Sequence, residues 1–327
     1  MYNIRHLTQQ DVTQLIKYNE KAFPERGEEV KRIIDFWLAR RENAIEDFIC
    51  VEKDGVFYGE VLFSAMSAYY RGEYGESHWA FDLIVDEELR KDVIGLDLML
   101  YPRKEYPDLY CTGSGPLALK MNLKMGGMLL GDIRKYVKIV NPLWVLTAAF
   151  RGKIQTKKFP KTIGNTWEKV ENAEQLPDIP QPYNSDILEI GRDKDYMKWR
   201  FFCGFHPYAV YKNTSNDDYF VVTTTVQKHL TAIVLMDFRC SLGDSEGFGA
   251  IVNATHKLAN KLHLPISICG SSHASIDSVL EQNGYRSVGR PRPIIGRKKT
   301  YKAEKDAIEA RTFTLVTLAD SDGEIYW

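Results

Sequence analysis

The sequence holds five cysteines (Cys50, Cys111, Cys203, Cys240 and Cys269) and no CxxC pair among them. Their scatter and odd number exclude a disulfide framework and a zinc knuckle. Isolated cysteines inside apolar runs read as small buried hydrophobes. No run of about 18 apolar residues exists, so no membrane-spanning helix is expected. The opening MYNIRHLTQQD lacks the apolar stretch of a signal peptide, and a cytoplasmic location is expected. Neither sign of charge is in excess: 43 Lys+Arg stand against 44 Asp+Glu, a net charge of -1. Nucleic-acid binding usually needs a basic stripe, so no nucleic-acid partner is expected. The basic run Arg290-Pro291-Arg292 with Arg297-Lys298-Lys299 is local and reads as solvated surface. GxSxG, HExxH, Walker A and Rossmann fingerprints are all missing. No His/Cys/Asp cluster has metal-ligand spacing, so no metal is expected.

What is present is ordinary globular material. The 327 residues are 44% hydrophobic and 27% charged, enough for two domains of about 150 residues each. The pattern predicts an α/β (α+β) chain of two lobes, each a mixed, mostly antiparallel sheet flanked by helices. Residues 1–147 form the first lobe, 148–185 a Pro-interrupted linker and 186–327 the second lobe. In the first lobe a strand is expected over 2–6, then a helix capped by Thr8 and Asp11 and running to Phe23. Val30, Ile33, Ile34, Trp37 and Leu38 mark one face of a helix over 28–41. A hairpin turns at Lys53-Asp54-Gly55. A strand over 78–85, a helix over 93–101, a strand over 109–112, a helix over 116–124 and a last strand over 136–140 follow. The second lobe repeats this order, which suggests duplication.

The informative stretch runs from Phe81 to Leu96: an apolar strand, a short turn, then a helix start. Free amides at such a start point outward and suit a pyrophosphate. Arg90 adds a charge-assisted contact. The plainer alternative is an ordinary helix entry with a solvated arginine. Strand alternation places His78, Ala80, Asp82, Ile84 and Asp86 on one face and Trp79, Phe81, Leu83 and Val85 on the other, taken as the core face. Asp82 is the candidate base for a proton from an acceptor; a salt bridge or a strand-edge hydrogen bond is the alternative. Tyr74, Glu76 and His78, just before that strand, are candidates for an acceptor mouth, or are plain solvated side chains. Cys111 sits near a strand end, by a thioester or as a core thiol. His273 starts a helix as a cap or faces a ligand.

At Arg90-x-x-Val93-x-Gly95 the chain resembles the GNAT acetyltransferase superfamily, whose motif after its fourth strand is Arg/Gln-x-x-Gly-x-Gly/Ala. Val93 replaces the middle glycine. Thr112-Gly113-Ser114-Gly115-Pro116 and Leu123-Lys124-Met125-Gly126-Gly127 look like the family's fifth strand, fourth helix and closure. The aromatic after the glycine is lost. So is the tyrosine that often protonates the thiolate; Asn122 or Leu123 stands there. In the second lobe, Asp244-Ser245-Glu246-Gly247-Phe248-Gly249 keeps the glycines behind an acid, and Leu280 to Tyr285 resembles the closure. Asp195-Tyr196-Met197-Lys198-Trp199-Arg200-Phe201, with Pro207-Tyr208, Tyr211 and the terminal Thr314-Leu315 and Ala319-Asp320-Ser321-Asp322, looks like tandem GNAT-like proteins of bacterial cell-surface polysaccharide synthesis. Trp199 and Arg200 are expected to anchor their helix on its sheet or on the linker.

This resemblance implies a splayed gap between the fourth and fifth strands, where pantetheine lies like an extra strand. It implies acetyl-CoA (acyl-CoA) as co-substrate, held by Ile84, Val85, Arg90, Lys91, Val93, Ile94, Gly95 and Leu96. It implies direct acyl transfer to an amine or hydroxyl, an amino sugar or surface-polymer precursor. Two alternatives stay open: a non-catalytic pseudo-acetyltransferase that binds a ligand or partner, and a FemABX-type aminoacyl-tRNA-dependent peptidyl transferase. No oligomeric state is assigned.

Overall fold

The computed structural model describes residues 2–91, 93–106, 108–147, 158–177, 186–227, 230–240, 242, 245–297, 301 and 304–320. The chain opens with β1 (Asn3–His6) and a 3-10 turn leading into α1 (Val12–Ala22). Asp11 reaches back to the Thr8 backbone N–H at 2.8 Å, as the capping pattern predicted. In α2 (Val30–Leu38) the stripe Val30, Ile33, Ile34 and Trp37 is buried. β2 (Ile49–Lys53) turns into β3 (Val56–Tyr70) through Asp54 and Gly55, whose φ values of 51° and 75° suit a tight hairpin.

A second hairpin was not predicted. Arg71 and Gly72 also have positive φ (55° and 84°), and β4 spans Glu73–Val85. The strand therefore starts five residues before the expected His78, and Tyr74, Glu76 and His78 lie inside it. Arg71-Gly72 is a weak turn signal because arginine seldom takes a left-handed backbone. α3 (Ile94–Leu100), β5 (Leu109–Thr112) and α4 (Pro116–Lys124) follow close to expectation.

Next come β6 (Met128–Ile139) and α5 (Pro142–Thr147). Part of the expected linker is structured: β7 (Thr162–Ile163) and β8 (Trp167–Val170) form a hairpin, and β8 pairs with β10 (Ala209–Asn213). The rest of the chain is β9 (Leu188–Ile190), α6 (Lys194–Phe202), β11 (Tyr219–Gln227), β12 (Leu230–Arg239), α7 (Ser245–Lys261), β13 (Ile266–Ser271), α8 (Ala274–Gln282), β14 (Arg286–Gly296), α9 (Lys305–Glu309) and β15 (Thr314–Leu315).

Internal contacts divide the chain into two compact units. The first holds Met1–Ala68, Tyr74–Leu129 and Ile294–Lys302; the second holds Tyr69–Glu73, Leu130–Pro293 and Ala303–Trp327. The first sheet runs β1-β2-β3-β4-β5, with the end of β14 added beyond β5. The second runs β6-β13-β12-β11-β10-β8-β7. The units thus exchange strands. β6, expected as the last strand of the first lobe, pairs antiparallel with β13 from Arg134↔Ser271 to Ile139↔Ile266. Its place beside β5 goes to Ile294 and Ile295.

One face of the first sheet packs Ile49, Val51, Val61, Phe63 and Val85 against Leu98 of α3. On the other face Trp37 of α2 stacks on Phe81, with ring centroids 4.2 Å apart. The second unit has one large core, in which Phe248, Ile251, Val252 and Leu258 of α7 pack on Phe220, Val222, Ile233 and Leu235 of the sheet.

Candidate functional site

β4 and β5 run parallel but pair over a short stretch, His78↔Leu109 and Trp79↔Tyr110. β4 then continues to Val85 and β5 to Thr112, where Thr112 and Cys111 pair with Ile294 and Ile295 on the far side. Among the described residues no strand pairs with this edge of β4 beyond Trp79. The open edge exposes backbone donors and acceptors to an extended ligand.

The alternation of β4 breaks within this stretch. Asp82 has φ 48°, a left-handed backbone inside a strand. Phe81 and Asp82 consequently share a face: Phe81 packs on Trp37, and Asp82 meets Arg26 from the connection between α1 and α2. Ala80 and Val85 both belong to the opposite, α3-side cluster. An extra residue in a strand reverses the alternation beyond it. Hence the expected split fails: Leu83 is 37% exposed instead of lying in the core, and Val85 rather than Ile84 joins the face of Ala80.

Asp82 is not a free carboxylate. Arg26 Nη1 and Nη2 donate to its two oxygens at 2.7 and 2.5 Å, and the side chains are 1% and 6% exposed. The guanidinium also lies 3.8 Å from the Phe23 ring centroid. Below this pair Glu60 of β3 is fully buried, and Asn19 Nδ2 of α1 donates to both its oxygens at 2.9 and 3.1 Å. Burial, with Asp82 nearby, holds the Glu60 carboxyl well above the usual carboxylate range, against the opposing pull of Asn19 and Arg26. Two neighbouring carboxyls thus stand in opposite environments, one clamped by arginine and one desolvated. The sequence reading missed Asn19, Arg26 and Glu60. The one available signal was an acid at Glu60, amid apolar neighbours on β3.

At the open end, Asp86 accepts from Tyr18 Oη at 3.1 Å and Lys21 Nζ at 2.7 Å. Arg90 is exposed, and its Nε donates to the Val85 carbonyl at 2.9 Å. Lys91 and Val93 are exposed, while Ile94, Gly95 and Leu96 are half-buried. α3 has 7 residues, so its dipole is small. A Cβ on Gly95 would sit 3.7 Å from Val85 Cγ2, an ordinary contact, so this glycine is not demanded by packing. Gly59 is: its Cβ would meet the Ile84 carbonyl at 3.1 Å and Val85 Cγ2 at 3.3 Å.

The expected acceptor mouth divides. Tyr74 and Glu76 are exposed, but His78 is buried, with its ring 3.8 Å from that of Tyr106 and its Nε2 3.9 Å from Asp47 Oδ1. Burial lowers its pKa, with Asp47 acting in the opposite sense. Cys111 Sγ lies 3.5 Å from Ser114 Oγ. Asn122, one of the two residues expected at the tyrosine position, accepts from Arg103 at 2.7 Å.

The second unit repeats the construction. β12 and β13 pair in parallel from Ala232↔Ile266 to Leu235↔Cys269 and then part. The β11–β12 register slips so that Met236 is the extra residue before Asp237. Asp237 is gripped by Arg192 Nε and Nη2 at 3.0 and 3.1 Å. Gly247 and Gly249 fall within α7 rather than in a loop before it; Asp244 lies outside the described residues. His273 caps α8, its Nδ1 accepting from the Ser275 N–H at 3.2 Å.

No described helix is long and apolar enough to cross a membrane. No metal-holding group of three His, Cys, Asp or Glu occurs among the described residues. The sequence matches no family model and no curated protein. Solved structures do match. A GCN5-related N-acetyltransferase from Anabaena variabilis aligns over 90% of this chain and 72% of its own, with TM-score 0.61 and 11% identity. Saccharomyces cerevisiae N-myristoyltransferase with bound myristoyl-CoA aligns over 90% and 82%, with TM-score 0.61 and 12% identity. A conserved protein of unknown function from Enterococcus faecalis, a probable N-acyltransferase, aligns over 90% and 72%, with TM-score 0.61 and 10% identity. At such identities the likeness is one of fold, and the fold of this chain is that of the GNAT acyltransferases.

Proposed function

We propose that this protein is an acyltransferase that holds an acyl-coenzyme A in the β4–β5 gap of its first unit and delivers the acyl group to an amine or hydroxyl. The observation that carries this is the parting of β4 from β5 after Trp79↔Tyr110, with the bulge at Asp82 inside the gap. An extended pantetheine would suit such an edge because its amides can pair with the backbone of residues 80–84 along it. The co-substrate supplies an activated thioester. The backbone at Ile84 and Val85 would align it, and the amides of Val93, Ile94 and Gly95 would offer donors to a pyrophosphate, that of Leu96 already donating to the Val93 carbonyl at 2.8 Å. Arg90 and Lys91 add positive charge on leaving their present positions.

In the transfer, a bond forms between the acceptor nitrogen or oxygen and the acyl carbon, and the carbon–sulfur bond breaks. The sulfur leaves as the coenzyme A thiolate, and the acceptor's proton passes to that thiolate, directly or through water, to give free coenzyme A. Asp82, already clamped by Arg26, still has lone pairs to orient the acceptor's N–H or O–H; a carboxylate so paired is an orienting acceptor before it is a base. Tyr74 and Glu76 are exposed and are the proposed acceptor contacts, with an amino sugar or surface-polymer precursor as the proposed class.

A second reading, ligand binding without turnover, has its own support. Arg26 holds both oxygens of Asp82, and Asp86, Glu87, Glu88, Asp92 and Asp97 outnumber Arg90 and Lys91 around the turn. Calorimetric titration with acetyl-CoA and coenzyme A separates the readings. Micromolar binding lost in Gly95→Trp, with turnover on an amine panel, supports the enzyme. Binding without turnover supports the second reading. No binding at millimolar ligand refutes the acyl-CoA site.

A further inference from the structure

The two gaps differ in one respect, which lies wholly within the second unit. The chain's own C-terminal segment, residues 314–320, reaches into the space where β12 and β13 part. On the β13 side, a Cβ on Gly270 would fall 2.3 Å from Leu318 Cδ2, so the leucine lies directly on the strand backbone. That contact, rather than any unusual backbone angle, is why glycine stands there. On the β12 side, Thr317 Oγ1 donates to Asp237 Oδ1 at 2.9 Å, on the bulge that matches Asp82 of the first unit.

The segment's backbone is satisfied in three ways: Thr314 and Leu315 pair with Leu188 and Glu189 of β9, Thr317 and Asp320 close a turn between themselves, and surrounding side chains take further groups. Ser272 Oγ donates to the Thr314 carbonyl at 3.0 Å and accepts from the Val316 N–H at 2.7 Å. Arg200 Nε donates to the Ala319 carbonyl at 2.8 Å. Asp320 accepts from Arg192 Nη2 at 2.6 Å and from the Thr317 N–H at 2.9 Å. Arg192 thus grips the bulge aspartate and the segment together. All of residues 314–320 are buried. Two sequence features that the acyl-transfer reading leaves unused, Arg200 in α6 and Ala319-Asp320, are two sides of this contact.

We propose that residues 314–320 are a resident occupant of a second ligand gap, standing where an extended acyl-CoA-type ligand would lie, so that the intact chain offers one such gap and masks another. The ligand class rests on the acyl-CoA reading; the occupancy does not. Asp237 shows that an arginine-clamped aspartate on the bulge still accepts a hydroxyl, here that of Thr317.

The test uses Gly270→Ala, which adds one methyl to β13 in the path of Leu318 and leaves the segment's own sequence intact. Overpacking of this kind should raise amide hydrogen exchange in residues 314–320 by roughly tenfold or more, with β11, β12 and β13 still protected. Coenzyme A stoichiometry by calorimetry should rise from one to two. Asp320→Asn, which removes the charge opposite Arg192 at constant shape, should loosen the same segment and guards against misfolding of the first variant. Unchanged exchange in both variants, or loss of protection in the whole sheet together with the segment, overturns the proposal. So do two molecules bound by the wild type, or release of the segment with stoichiometry still at one. A wild type that binds no coenzyme A overturns the ligand class and the acyl-CoA reading, while the exchange pattern still decides the occupancy.

Discussion

Asp82→Asn is the sharpest perturbation of the first unit. The Arg26–Asp82 pair is bidentate and nearly sealed, at 1% and 6% exposure, so solvent screening takes little from it. Charge centres about 4 Å apart attract by about 4 kcal/mol at an effective dielectric of about 20. Removing one partner of a buried pair typically costs about 3–5 kcal/mol, because the other charge stays desolvated. Asparagine keeps one acceptor oxygen and tolerates the φ of 48° at this position, so the lower end, about 3 kcal/mol, is expected. Arg26→Met should cost a similar amount. The double variant should be more stable than the sum of the two by about 2 kcal/mol or more, since it strands no charge. Urea unfolding of the four proteins, with hydrogen exchange on β4, measures the cycle. Single variants within about 1 kcal/mol of wild type, or strict additivity, would refute the ion pair as the clasp that ties the α1–α2 connection to the bulge.

Gly95→Ala should fold normally and gain up to about 1 kcal/mol, because its Cβ finds an ordinary 3.7 Å contact and alanine favours a helix; a thermal melt checks this. Gly59→Ala should lose about 1–3 kcal/mol, its Cβ landing 3.1 Å from the Ile84 carbonyl, which chemical denaturation would read. His256 is held down from its ordinary 6.5 to about 4 by burial and by Lys138. The unfolded chain therefore binds this proton first as pH falls. Its contribution is complete above about 6.5 and is lost between 6.5 and 4. The melting temperature should drop across that window, and His256→Leu should flatten part of the drop; an unchanged profile would refute the assignment.

Much of this architecture was legible because it is local. The capping pair Thr8 and Asp11, the apolar stripe of α2, the Asp54-Gly55 turn and the bounds of β5, α4 and α8 each depend on neighbours within one or two turns of chain. The site was legible only in outline. Asp82, Ile84, Val85 and Gly95 were read as one stretch because strand, turn and helix are contiguous there. Tyr74, Glu76 and His78 were grouped as a mouth, yet the longer hairpin buries His78 and leaves the other two exposed.

Sequence by itself determined the class of fold, the order of its elements and the stretch where a ligand gap could open, since periodicity, caps and turns are written within short windows. Tertiary structure alone decided three things. It placed Phe81 and Asp82 on one face, because a bulge reverses alternation without changing composition. It brought Arg26 and Glu60 to Asp82, because pairing across strands and layers joins residues 22 to 56 positions apart. And it gave β6 to the second unit and the end of β14 to the first, because strand partners are chosen by complementary edges and not by nearness in the chain.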